Sequence, residues 1–251
     1  MSRLITRRTL VTAGLTTAAA ASGLGAAIHY GLIPPDYGGI TGIGETLTYS
    51  AQRLLTSGYS LAREFKRSDI SKIPIVNGPA PVDETFRALA ADGFKDWRLK
   101  IEGLIANPTS FSLEELRRLP AESHIVLHAC EQGWSYIAEW TGVRLSAVLD
   151  LVKTLPGARY AVFMAFPNPR QTTGEVRVQW DSIDMADALH PQTLLAYGMN
   201  GEALPPDFGA PVRLRLGRQL GYKNTKYLSR IIVTDDMDLY RKGRGTWYGG
   251  I

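Results

Sequence analysis

The sequence predicts an α+β fold of mixed sheets, with short helices and long loops. Two patterns lead there. Period-two apolar alternation recurs in short runs along the chain, and helical periodicity appears only in brief stretches after the first thirty residues. Strands and helices also fail to alternate as a regular βαβ array would require. Apolar residues make up 45% and charged residues 21% of the 251 residues, an ordinary globular balance with enough chain for one real core.

Residues 1–30 read as a twin-arginine export signal. "SRLITRRTL" sets Arg7 beside Arg8 and leads into the weakly apolar "LVTAGLTTAAAASGLGAAI", with no Asp or Glu before Asp36. The apolar run approaches the roughly 20 residues that span a bilayer, so retention as a membrane anchor is the second reading of the same segment. Either outcome places the rest of the chain in the periplasm. Residues 31–74 read as an N-terminal tether, opening with the Gly-, Ser- and Tyr-rich "IPPDYGGITGIGETLTYS". Residues 75–251 carry no internal boundary signal and read as one domain.

Within that domain a short helix starts near Asp83, and "WRLKIEGLI" alternates as a strand. Ser112 followed by Glu115 is a capping box opening another short helix. "SHIVLHAC" alternates again, with Ile125, Leu127 and Ala129 on one face and His124, Val126, His128 and Cys130 on the other. "RLSAVLDLV" has helical spacing, "RYAVFMAF" and "EVRVQW" are strands, and "SIDMADALHP" reads as a helix ended by Pro191. "TLLAYGMNG", "PVRLRLG" and "KYLSRIIVTD" complete the strands.

The net charge of +4 is modest, and no stretch interleaves basic and aromatic residues, which excludes a nucleic-acid partner. A mild basic balance suits an anionic ligand or small anionic substrate instead. The single cysteine excludes intramolecular disulfides, Cys-rich zinc motifs and protein-ligated iron–sulfur clusters.

That cysteine, Cys130 in "HIVLHACEQGWS", has four competing uses. Inert burial is the plainest. Zinc with His124 and His128 is the second, although His124 and Cys130 would lie about 20 Å apart on an extended strand. Thiol catalysis with His128 as base is the third. The fourth is a soft thiolate ligand to a metal brought by an organic cofactor, which removes the hazard of a free exported thiol. It also explains a route that exports proteins already folded. A basic cluster in "GAPVRLRLGRQLGYKNTKYLSR" supports it: Arg213, Arg215, Arg218, Lys223 and Lys226 are interrupted by Gly217 and Gly221, a composition suited to a phosphate.

These stretches carry a resemblance. "WRLKIEGLIANP", "LHACEQGWSYIAEWTGVRLSAVLD" and "LHPQTLLAYGMNGEALPPDFGAPVRLRLGRQLGYKNTKYLSRI" together resemble the sulfite-oxidase-fold molybdopterin-dependent oxidoreductases. The likeness runs to the bacterial envelope branch, which includes the catalytic subunit of periplasmic methionine-sulfoxide reductase. The resemblance implies a sulfite-oxidase-type molybdopterin-binding fold, with Cys130 as the catalytic thiolate on molybdenum. It implies Arg213 as the arginine that holds the pterin, Asn224, Thr225 and Lys226 as the segment around its phosphate, and Asn77 in "IVNGPAP" as an N-terminal pterin contact. The pterin of this family carries no nucleotide, and the sequence has no dinucleotide-binding signature. His128, Gln132 and Trp134 are candidates to orient ligands or wall the cleft. The implied reaction removes oxygen from a small S- or N-oxide, with electrons from a separate haem- or quinol-linked carrier, membrane-bound in one arrangement. The chain would then be a monomeric catalytic subunit. Sulfite-type oxidation of an oxyanion at the same site, and a cofactor-free binding or assembly subunit, are the alternatives. Three positions depart from the family pattern: Phe208 replaces a polar residue after "PPD", Gln132 stands beside Glu131 where a Glu is usual, and Ala165 replaces a Thr.

Overall fold

The computed structural model describes Gly23 and residues 43–55, 60–169 and 176–243. The twin-arginine segment apart from Gly23 lies outside the described residues. Contacts divide the chain into residues 1–57 and 58–251. The first part contains α1, Ile43–Leu55, a helix where the sequence alone reads as irregular tether. Leu47, Leu54 and Leu55 on it are exposed. Among the described residues no helix is long and apolar enough to cross a membrane.

The second part is built on two five-stranded sheets. Its elements in chain order begin with α2 (Glu84–Ala91), β1 (Arg98–Gly103), β2 (Thr109–Ser112) and α3 (Leu113–Arg118). Then come β3 (Ala121–Ala129), β4 (Ser135–Arg144), α4 (Leu145–Val152), β5 (Tyr160–Pro169) and β6 (Val176–Asp184). The last are α5 (Met185–Ala188), β7 (Thr193–Met199), β8 (Glu202–Ala203), β9 (Arg213–Leu216) and β10 (Leu228–Thr234). One sheet runs β2-β1-β10-β5-β6 and the other β3-β4-β7-β8, with β9 also paired to β7. Among the described residues only the β1–β10 strand pair is parallel. Mixed sheets with short helices are the α+β arrangement the alternation predicts.

Local chemistry sets the element ends. Asp83 caps α2 by accepting from the Phe86 N–H at 3.1 Å, and Ser112 and Glu115 form the expected capping box on α3. The helix expected over "SIDMADALHP" shrinks to α5, because β6 pairs with β5 as far as Asp184, whose side chain then caps the single turn. Gly142 marks a close strand contact: a Cβ there would lie 2.2 Å from the Leu195 carbonyl oxygen. The main apolar cluster draws Leu99, Ile101, Phe163 and Ile231 from one sheet and Val143, Leu195 and Leu214 from the other, with Leu145, Val148 and Leu149 of α4 between. Residues 60–71 run along the second sheet: the Phe65 N–H donates to the Ile125 carbonyl and the Ser71 N–H to the Ile137 carbonyl, each at 2.9 Å.

Candidate functional site

The alternation of β3 buries Val126 and His128, and the strand ends one residue before Cys130. Residues 130–134 then reverse the chain into β4. The Gly133 N–H donates to the Cys130 carbonyl and the Cys130 N–H to the Trp134 carbonyl, and Gly133 takes the left-handed φ of +92° that the turn needs. Cys130 is therefore fixed at the neck of a hairpin and is only 6% exposed. Burial pushes its thiol up; the Glu131 carboxylate, which accepts from Sγ at 3.3 Å, adds to that, against the Gln132 N–H.

Cys130 opens onto a cleft of about 620 Å³. Asn77, Cys130, Arg213, Asn224 and Lys226 all line it, although they come from four separate stretches of chain. Thr225 does not: it is fully buried beneath, and its Oγ1 has no hydrogen-bond partner among the described residues. The side chain of Asn224 is largely occupied with the protein itself. Its Oδ1 accepts from Arg215 Nη1 and from the Leu216 N–H, both at 2.7 Å, and its Nδ2 donates to the Leu220 carbonyl. Asn224 thus shapes the loop, while Arg213 and Lys226 present charge.

The five cations of the basic cluster fall into two kinds. Arg218 and Lys223 are paired with carboxylates, Asp187 and Asp181, each at 2.6 Å. Arg213, Arg215 and Lys226 have no carboxylate within ion-pair distance among the described residues. Arg213 donates to the carbonyls of Phe208 and Asn224 at 2.8 and 3.1 Å, and to the Tyr136 hydroxyl. Arg215 donates to the Leu127 and Leu216 carbonyls, and Lys226 Nζ to the carbonyls of Asn77 and Asp207 at 2.8 and 2.9 Å. Burial and mutual repulsion are visible in their acidities. Burial, then Arg213, lowers Arg215 to about 9 and Lys226 to about 7. Burial, followed by Arg213, Arg215 and Lys226, holds His128 neutral down to about 2. Buried positive charge without a counterion is costly, and an anion in the cleft relieves it.

Glycine makes room for such a ligand. A Cβ at Gly221 would lie 3.0 Å from His128 Nε2, and one at Gly209, at φ +115°, 3.0 Å from the Lys226 Cβ. Among the described residues no group of three or more His, Cys, Asp or Glu could hold a metal alone. His124, which shares the Cys130 face in sequence, is hydrogen-bonded to Glu64 at 2.8 Å instead. One thiol beside an unneutralised basic cradle suits a metal whose other ligands come from an anionic organic cofactor.

Comparison with known proteins agrees: the family described as oxidoreductase molybdopterin binding domain matches residues 87–240. The chain belongs to this molybdopterin-binding family. Its relatives include the putative protein-methionine-sulfoxide reductase subunit YedZ1 of Azospira oryzae, 36% identical over 67% of this chain and 60% of that relative. The protein-methionine-sulfoxide reductase catalytic subunit MsrP of Ralstonia nicotianae is 32% identical over 55% of this chain and 44% of that relative. The chain thus spans about half the length of these curated relatives. Among solved structures, the sulfane dehydrogenase SoxCD of Paracoccus pantotrophus shares the fold, with a TM-score of 0.51 at 23% identity, covering 61% of this chain and 46% of that one. The expected sulfite-oxidase-type fold is therefore found. A molybdopterin-binding domain implies a molybdenum–molybdopterin cofactor.

The three departures all lie on the cleft wall of this molybdopterin-binding domain. Phe208 gives its carbonyl to Arg213 and packs its ring edge-on against Tyr136 at 6.1 Å. Gln132 accepts from Trp134 Nε1 at 3.1 Å, leaving Glu131 as the carboxylate at the thiol. Tyr136, Asn168, Gln179 and Tyr222 also line the cleft and were not expected from sequence. Arg215 was visible only as one of five basic residues, although its spacing of two from Arg213 puts both on one face of β9.

Proposed function

We propose that the chain is an exported molybdopterin-dependent oxidoreductase that reduces a sulfoxide or related S- or N-oxide with electrons from a separate carrier. The observation that carries the reading is the cleft shared by Cys130 and the carboxylate-free cations Arg213 and Lys226. Arg213 and Lys226, with Asn77 and the 224–226 loop, would hold the pterin and its phosphate, and Cys130 would bind the metal. The nucleotide-free pterin is the form proposed. Bound there, the cofactor supplies two-electron oxygen-atom transfer. Glu131 is placed to receive the Cys130 thiol proton that a bound metal would displace. Trp134 and Tyr136, stacked 6.2 Å apart, continue with Phe208 as an aromatic wall. That wall suits a neutral S-oxide with an apolar substituent, whereas the cations are committed to the cofactor. A basic cleft also favours an oxyanion, which keeps sulfite-type oxidation as the second reading.

Both curated relatives are named as subunits, which supports a separate electron-transfer partner, haem- or quinol-linked. The twin-arginine leader supports a periplasmic catalytic subunit, anchored if the leader is retained, and monomeric apart from its carrier. The deciding experiment measures molybdenum and pterin in protein purified from cells with an intact cofactor pathway, beside Cys130→Ala. Near-stoichiometric metal in the wild type, with pterin kept but the metal lost or its spectrum changed in the variant, is expected. Sulfoxide reduction and sulfite oxidation with artificial electron carriers then separate the two reactions. Wild-type protein without molybdenum refutes the enzyme.

A further inference from the structure

We propose that Trp140 is a positioning residue: its indole face holds Arg213, which lines the cleft, and Arg215, buried behind it, as an unneutralised pair whose combined field favours the cofactor's phosphate in the cleft. The inference rests on the molybdopterin reading but concerns this chain's own residues. The guanidinium carbons of Arg213 and Arg215 lie 4.7 and 5.4 Å from the centroid of the Trp140 ring. Both arginines come from one face of β9, pairing with Ala196 and Leu194 of β7. A register shift between Thr141 and Gly142 in the β4–β7 ladder brings Trp140 into the same packed cluster as Ala196. Ala138 and Ala196 pack in the same cluster as the ring, and their small side chains suit a ring face given over to the two cations.

Two like charges side by side inside a protein ordinarily recruit a carboxylate. An acid at this position would hold them equally well, but it would cancel the field that draws an anion. The aromatic quadrupole attracts cations without removing their charge. The indole itself is not placed as a routine core tryptophan: it is fully buried, yet its Nε1–H has no hydrogen-bond partner among the described residues. A buried Trp usually finds one. The ring face, not the N–H, is then what the site uses.

The consequence is quantitative. The ring favours the binding-competent guanidinium positions before any anion arrives, and apparent affinity falls in proportion to the competent fraction when that preference is lost. Desolvated cation–π contacts are strong enough for a loss of about tenfold or more.

The test uses the full-length chain. Cofactor-free protein is titrated with inorganic phosphate by calorimetry, and protein from cells with an intact cofactor pathway is assayed for bound pterin. Trp140→Phe, which keeps a ring and discards the unpaired N–H, is expected within about threefold of wild type on phosphate. Trp140→Met is expected to bind phosphate about tenfold more weakly and to lose most of its pterin while keeping a cooperative melt. Folded Trp140→Met that binds phosphate and pterin like wild type overturns the inference. Should that variant not fold, site-specific fluorinated tryptophan at position 140 keeps the shape and weakens the quadrupole. Reduced phosphate affinity then supports the role, and unchanged affinity overturns it. Wild-type protein that never carries pterin refutes the functional reading itself, whereas equal pterin in wild type and folded Trp140→Met refutes the role of the ring alone.

Discussion

Replacing Lys223 by Met isolates the structural half of the basic cluster. Lys223 Nζ sits 2.6 Å from Asp181 Oδ1 and 2.9 Å from the Ser182 carbonyl, and both side chains of the pair are 2% exposed. At 2.6 Å the attraction is about 6 kcal/mol with an effective dielectric constant of about 20, largely offset by the desolvation of both ions. Removing one partner forfeits the attraction and keeps the other ion's penalty, so Lys223→Met should cost about 3–5 kcal/mol at neutral pH. Asp181 Oδ2 already lacks a partner among the described residues, which leaves the stranded carboxylate little to fall back on.

The pH dependence fixes the sign. Burial already pushes the Asp181 carboxyl up, and the Lys223 charge pulls it back. Without Lys223 the folded pKa rises further above the unfolded one. The penalty is then absent below the unfolded carboxyl range and grows as pH rises toward the folded pKa. Urea unfolding of the cofactor-free protein at pH 5 and pH 8 should show the larger deficit at pH 8. Lys223→Met with Asp181→Leu should recover most of it. A loss under about 1 kcal/mol, or a double variant no better than the single, would refute the assignment of Lys223 to structure. Lys226→Met is the counterpart: a stability change under about 1 kcal/mol, with bound pterin lost.

Three further outcomes follow from the same geometry. Gly221→Ala places a Cβ 3.0 Å from His128 Nε2 and 3.3 Å from the Ala129 carbonyl oxygen, so it should cost about 1–3 kcal/mol in urea unfolding and lower pterin content. Arg213→Lys keeps the charge but not the fork that reaches Phe208, Asn224 and Tyr136; pterin occupancy should fall clearly below wild type, and equal occupancy would show that charge alone suffices. Burial works to raise the Glu64 carboxyl, but hydrogen bonds from Gln192 and His124 outweigh it and hold the group below its ordinary 4.5. The attachment of residues 60–71 should therefore weaken as pH falls through that lowered range, seen as faster limited proteolysis there, and Glu64→Gln should remove the pH step.

Most strands were legible because one face meets the core and the other does not: β1 alternates in sequence and in burial alike, whereas β3 alternates too but buries the face of Val126 and His128 and exposes Leu127. β4 was not singled out for the opposite reason. Most of its residues are buried, flanked by β3 and β7, so its sequence lacks the period that marks a half-exposed strand. α1 was missed because its Gly, Thr and Ser content resembles a loop, and helix propensity is a weak guide in such a segment.

The site was legible to the degree that chemistry is local in sequence. Cys130 stands out because it is alone, and Arg213 and Lys226 because basic residues crowd between glycines. What sequence does not contain is the partner of each cation. Arg218 and Lys223 look no different from Arg213 and Lys226 until the fold brings Asp187 and Asp181 to the first two and backbone carbonyls to the others. Those aspartates lie more than thirty residues away in sequence. Whether a lysine stabilises the fold or waits for an anion is thus decided by which carboxylates the sheet topology delivers. β6 and the turn after it deliver one to each structural cation, and among the described residues none pairs with Arg213, Arg215 or Lys226.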